Sequence, residues 1–336
     1  MRIRFASLVL LATLGCFAAR RPVKRPVKQP TKATQAALVT AEQVQNATET
    51  DPLGPGATGA RVLRAQILLD RARFSPGEID GHWGHNLEIA ISGYHQARNE
   101  PAGTTIDPGM WALLNRDTAP LFNTYTITAD DVKGPFAPVP SDMHEQAQMK
   151  VLGWASPQEA LGEKFHMSPK LLSQLNPGKK LDTAGEQIVV PNVQRPPTGE
   201  AAKVVVSKSQ GAVAAYDASG ALLALYPATI GGVHDPLPIG NWTVANVQQN
   251  PTFYYAPGLF WNVDPNEAKE KLAPGPNNPV GVVWMGLSKR HYGIHGTPEP
   301  GRIGHTESHG CIRLTNWDAE ELSKMVKRGT PALLEE

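Results

Sequence analysis

Between His291 and Leu314 the chain reads HYGIHGTPEPGRIGHTESHGCIRL, placing a thiol, several imidazoles and a guanidinium around Gly-rich turns. Cys311 is the only cysteine beyond residue 16; His295 lies sixteen residues before it, His309 two before it and Arg313 two after it. A thiol attacks a carbonyl as its thiolate, so it needs an imidazole within hydrogen-bond reach and gains from a positive local field. This stretch offers both. Arg313 stays protonated and is no base, but its planar fork suits a carboxylate. Two other readings start from the same residues. A free cysteine is commonly a buried, inert thiol, although Gly310 and the polar Ser308, His309 and Arg313 describe a turn. His295, His305, His309 and Cys311 are also legitimate zinc ligands, but their spacings match no standard closed site and a metal would occupy the nucleophile.

The combined pattern narrows the choice. His295-Gly296-Thr297, Ile303-Gly304 and Ser308-His309-Gly310-Cys311-Ile312-Arg313-Leu314 resemble the active-site signature of the YkuD-type L,D-transpeptidases. The run from Ala273 to Gly281, then Val283-Trp284 and Tyr292-Gly293-Ile294-His295, is similar to that family's approach to its catalytic histidine, and Pro238 to Val244 to an earlier strand. The resemblance covers residues 201–336 and implies a mixed β-sandwich with the cysteine at the mouth of a cleft. It implies Cys311 as nucleophile, His295 as general base with its tautomer held by the Gly296 carbonyl, and an oxyanion hole from the Gly310 and Cys311 amides. His309 and Ser308 would orient the site or touch substrate, with Arg313, Tyr292 and Trp284 completing the substrate contacts. The implied reaction is acyl transfer on peptidoglycan stem tetrapeptides through a thioester, releasing D-alanine and forming 3→3 cross-links, with no metal or cofactor. L,D-carboxypeptidase action or attachment of protein to peptidoglycan would use the same acyl-enzyme. A sortase-like enzyme shares the His, Cys, Arg order, and a non-catalytic wall-binding scaffold is the reading from another class.

Such a site needs rigid elements beneath it. From Ala202 onward short β runs separated by Gly and Pro turns are expected at 203–207, 212–216, 222–228, 241–247 and 280–285. A helix follows the cysteine: Thr315 or Asn316 can cap it, Leu322, Met325 and Val326 give it an apolar face, and Lys327-Arg328-Gly329 ends it. Pro331 to Leu334 reads as a last strand. The insert from Gln248 to Asn278, with Phe253, Tyr254, Tyr255, Phe260 and Trp261, is expected to overhang the cleft.

Upstream, the sequence suggests a multi-domain α+β protein. Residues 1–19 read as an export signal, with Arg2 and Arg4 before an apolar run too short to span a bilayer; Cys16 offers membrane attachment if lipidated. The expected location is the periplasm or cell envelope. Residues 20–51 read as a basic, Pro-rich linker that buries no core. Residues 52–118 suggest a small three-helix domain: Leu87, Ala90, Ile91 and Tyr94 form one apolar helix face, and Ile79–Gly84 with Asp107–Leu114 resembles a peptidoglycan-binding domain. Residues 122–194 suggest a βααβ module similar to LysM, with helices starting at Ser156-Pro157 and Ser168-Pro169 and an unusually long stretch from Lys133 to Gly153. The formal charge is only +1 over 336 residues, and no nucleic-acid partner is expected. Because residues 53–193 carry no nucleophile, binding and chemistry are expected to separate into an N-terminal anchor and a self-sufficient C-terminal enzyme.

Overall fold

The computed structural model describes residues 39–336, so the export signal, Cys16 and most of the basic linker lie outside the described residues. The end of that linker is not the coreless spacer expected. Thr40 caps helix α1 (Ala41–Gln45) in a reciprocal box with Gln43, and Val44 is fully buried against helix α2 (Ala60–Arg71). Gln45 adds bonds from Arg64 and Leu121, and together these contacts anchor a five-residue helix that would be unstable alone.

The three expected helices are α2, α3 (His85–Gln96) and α4 (Pro108–Leu114). Asp107 caps α4 by accepting from the Met110 amide, and Pro108 supplies an N1 residue that needs no amide partner. In the middle module, strands β1 (Phe122–Thr126) and β2 (Gln187–Pro191) pair antiparallel, with α6 (Pro157–Lys164) and α7 (Pro169–Leu175) between them in the chain. Ser156 and Ser168 cap the two helices, each followed by proline. The long stretch between β1 and α6 carries a further short helix, α5 (Met143–Ala147).

The C-terminal region differs from the expected sandwich. Strands β3 (Lys203–Ser207), β4 (Ala212–Tyr216), β5 (Leu222–Pro227), β6 (Gly240–Gln249), β9 (Val283–Leu287), β10 (Gly293–His295), β11 (Ile312–Arg313) and β12 (Pro331–Glu335) form one continuous sheet in the order β11-β10-β9-β6-β12-β3-β4-β5. The ten-residue β6 joins the halves. Its start pairs with β12, and beyond an irregularity at Val244–Asn246 it pairs with β9. Such a bulge bends a strand and increases its twist, allowing one sheet to curl where two stacked sheets were expected. Helix α8 (Asn316–Met325), capped by Thr315, packs against β9 and β10. The expected strand at 280–285 begins three residues later, because Gly281 adopts φ +61° in a turn.

Side-chain alternation gives this sheet two buried faces. Val213, Ala215, Ala224 and Tyr226 enter the core beneath α8, whereas Ala212, Ala214 and Leu225 join the core of the N-terminal modules. Gly93 of α3 lies so close that a Cβ there would come within 2.4 Å of the Leu225 side chain. Polar contacts follow the same seam: Asp70 meets His166 at 3.2 Å, Arg195 meets Glu321 at 2.7 Å, and the Ser75 hydroxyl donates to Asp318 at 2.8 Å. In place of the expected independent catalytic unit, the sheet and the N-terminal modules share a buried core.

Candidate active site

Strands β10 and β11 run parallel with Ile294 opposite Ile312 and His295 opposite Arg313. Ile294 and Ile312 are fully buried on the core side. Alternation then turns His295, Cys311 and Arg313 to the other face, with Cys311 one step diagonal from His295; no hydrogen bond joins the two side chains, and the thiol lies against the His291 carbonyl instead. All three line a cleft of about 850 Å³, together with Trp284, Tyr292 and His309. Gly296, Gly310 and Ser308 belong to the supporting backbone.

His295 is 3% exposed. Its Nδ1 donates to the Gly296 carbonyl at 2.7 Å; a carbonyl only accepts, so the proton sits on Nδ1 and the Nε2 lone pair is left open. Trp284 stacks on the imidazole at 5.4 Å, and Gly293 leaves room for that indole, since a Cβ there would come within 2.6 Å of it. Burial, and secondarily the Arg313 charge, lower the His295 pKa to about 3 against the pull of the Gly296 bond. His295 is thus neutral at physiological pH.

Cys311 is partly exposed at the cleft and directs its thiol toward the His291 carbonyl at 3.6 Å. Burial pushes its pKa up, while the Gly293 amide and the Arg313 charge favour the thiolate and Asp235 opposes it. Gly310 has φ +93°, and a Cβ there would lie 2.9 Å from the Tyr292 ring, so glycine meets both a backbone and a space requirement. Ser308, expected against substrate, is buried and holds the loop: its hydroxyl donates to the Cys311 carbonyl and its amide to Ile230.

His309 faces the insert. Its Nε2 bonds the Asn262 side-chain oxygen Oδ1 at 3.0 Å, and Phe260 meets its ring edgewise at 5.1 Å. Its Nδ1 is buried without a partner, and burial lowers its pKa. Strands β7 (Phe253–Tyr255) and β8 (Glu270–Leu272) pair as the stem of this insert, which forms the overhang the aromatic residues suggested. Arg313 has no ion pair among the described residues, and burial lowers its pKa. The four candidate zinc ligands are not gathered: among the described residues no three His, Cys, Asp or Glu side chains form a metal-holding group.

Two contributors were missed in the sequence. Asp235 lines the cleft with one carboxylate oxygen buried and unpartnered. Helix α5 supplies another wall, where Met143 and His144 face the cleft and His144 meets Glu270 of the insert at 2.9 Å. The surplus length from Lys133 to Gly153 was the available signal for α5; no local pattern marks Asp235.

The chain matches the L,D-transpeptidase catalytic domain family, YkuD, over residues 201–334. A Bacillus licheniformis protein whose name places it among the L,D-transpeptidases, YkuD, is 31% identical over 174 residues, 51% of this chain and 89% of that protein. Its Bacillus subtilis namesake is 32% identical over 168 residues, 49% and 85% of the two chains. The crystal structure of L,D-transpeptidase 3 from Mycobacterium tuberculosis aligns with 20% identity and a TM-score of 0.34 over 46% of this chain and 76% of that one, too loose a likeness to add weight.

Proposed function

Since the chain belongs to the YkuD family of L,D-transpeptidases, we propose that Cys311 and His295 carry out acyl transfer on peptidoglycan stem tetrapeptides. The observation that carries this reading is the neutral His295, its Nδ1–H fixed on Gly296 and its Nε2 open on the strand face shared with Cys311. Arg313, unpaired at the same cleft, offers a counter-charge to a stem carboxylate.

The chemistry follows from these states. His295 Nε2 accepts the thiol proton as sulfur bonds to the carbonyl at the L-centre of the third stem residue, and the Gly310 and Cys311 amides receive the developing oxyanion. Collapse of the tetrahedral intermediate breaks the C–N bond. The departing D-alanine amine takes the proton from His295, leaving a thioester on Cys311. An acceptor amine then forms the new C–N bond as C–S breaks, and its proton returns through His295 to sulfur. A neighbouring stem as acceptor yields a 3→3 cross-link; water yields a tripeptide. Phe253, Tyr255, Phe260 and Val280 line the cleft with apolar surface and favour the amine by limiting water. An exported protein acting at the cell wall, held there through its N-terminal modules, accords with this substrate.

The test is Cys311→Ala. Removing this thiol should abolish D-alanine release from a soluble tetrapeptide while leaving the melting curve in place. A carbapenem should add its mass to the wild type at Cys311 and not to the variant. Wild-type D-alanine release by the folded variant refutes the nucleophile, and loss of wild-type activity on chelation supports a metal instead.

A further inference from the structure

The middle module enters the supports of His295. The Gly296 carbonyl that fixes the imidazole belongs to a turn packed against the Gly281 turn, and the Asn316 side chain is wedged between them. A Cβ on Gly281 or Gly296 would come within 2.1 or 2.2 Å of Asn316 Oδ1. The same oxygen accepts from the Val282 amide at 3.3 Å. The Asn316 Nδ2 group donates to the Pro276 carbonyl at 3.1 Å and to Glu163 Oε1 at 2.9 Å. Glu163 belongs to α6 of the middle module, and its other oxygen accepts from Trp154 Nε1 at 3.0 Å.

The orientation of the Asn316 amide matters because its two ends are nearly equal in size and opposite in hydrogen-bonding character. The Pro276 carbonyl only accepts, and so does Glu163 in its ionised form, so together they demand the NH₂ end and leave Oδ1 for Val282 and the two glycine turns. With the amide reversed, an NH₂ group would face the Val282 N–H, donor against donor, and crowd the Gly296 turn. The seam around this contact is also tied: Leu152 exchanges backbone bonds with Pro274 and Asn277 at 3.1 and 2.9 Å, and Asn277 donates to Glu159 at 2.8 Å.

We propose that Glu163 of the middle module is a positioning residue for acyl transfer: by fixing the Asn316 amide it holds the Gly296 turn, and hence the tautomer and aim of His295. This assigns the module a part in the active site besides any binding to the wall. It rests on the reading of His295 as general base.

The experiment uses the full chain and compares Glu163→Ala, Glu163→Gln and Trp154→Phe. Two readouts are needed: the rate at which a carbapenem acylates Cys311, followed by mass, and the ¹⁵N chemical shifts of His295, which report its tautomer. Glu163→Ala should slow acylation roughly 10- to 100-fold, the scale on which a small misplacement acts, and convert the single Nδ1–H tautomer to a mixture. Glu163→Gln keeps an acceptor for Asn316 and should stay within about 3-fold of wild type, and Trp154→Phe, which removes only the other bond to Glu163, within about 2-fold. If Glu163→Ala does not fold, Glu163→Asp, whose carboxylate is withdrawn by one methylene, takes its place with the same expectation. Wild-type acylation and tautomer in the folded variant overturn the proposal, as does an equal loss in all three variants, which would mark simple docking of the module. A His295→Ala variant that acylates normally would instead refute the base assignment, while the tautomer signal still judges Glu163.

Discussion

A chain cut before Ala201 keeps the whole span of the family match, yet it should lose both stability and chemistry. Leu225, Ala212 and Ala214 are 3%, 1% and 6% exposed, and all three belong to the core shared with the N-terminal modules. Returning a leucine to water costs about 1.5–3 kcal/mol, and the two alanine methyls together add roughly 1–2. These losses are a large fraction of a domain stability of about 5–15 kcal/mol, before removal of Glu163 and Ser75 is considered. The single-residue form of the test is Leu225→Ala in the full chain. The leucine is wedged against Phe74 and Gly93, helix backbone leaves little scope for collapse, and truncation should cost about 2–5 kcal/mol. Urea titration followed by tryptophan fluorescence reads this as a lower midpoint at unchanged slope. The truncated chain should unfold at a much lower midpoint and acylate Cys311 more than tenfold more slowly. A fragment with the full-length midpoint and acylation rate would refute the shared-core argument.

Other expectations concern charge. Burial raises the Glu163 and Asp318 pKa values to about 7 each. A raised folded pKa contributes stability that is complete below the unfolded value and lost as pH rises to the folded one, so melting temperature should fall between about pH 4 and pH 7. Asp318→Asn should flatten that fall, as differential scanning calorimetry can show. Arg313→Gln should raise KM for tetrapeptide donors with little change in melting temperature; an unaltered KM would remove Arg313 from substrate recognition. Gly93→Ala should cost about 1–3 kcal/mol in urea titrations, because its methyl overlaps Leu225.

The local parts of this molecule were legible because local chemistry sets them. Ser-Pro at 156–157 and 168–169 gives a capping oxygen and a first helical residue with no N–H to satisfy, and both helices start there. Alternation and Gly turns marked the strands to within a few residues. The placement of the thiol, imidazole and guanidinium on one face follows from the two short strands that carry them. What stayed hidden was tertiary. Nothing near Leu225 distinguishes a strand covered on one face from one covered on both, and a continuous sheet differs from a sandwich through one bulge in β6. Glu163 is one of several polar residues in the last turns of α6, and its contact with Asn316 spans 153 positions. Asp235 carries no pattern at all.

The protonation states of the site lead to a last, sharper expectation. In many cysteine enzymes the thiol and imidazole rest as an ion pair, which requires a lowered thiol pKa and a histidine that holds its proton. Here the balance runs the other way: burial lifts the Cys311 thiol above its ordinary range and drops His295 to about 3. The resting pair is neutral thiol and neutral imidazole, and the proton moves as the carbonyl is attacked. Alkylation of Cys311 by iodoacetamide should therefore rise steadily across pH 5 to 9, with no plateau below neutrality. No acid limb should occur near the ordinary histidine value, since His295 stays neutral as pH falls through it. Carbapenem acylation, which recruits the base during attack, should slow in D₂O by about twofold, as expected when a proton is in flight at the barrier. A plateau in alkylation reached below about pH 6 would reveal a preformed thiolate. That result would refute the neutral-pair mechanism while leaving Cys311 as the nucleophile.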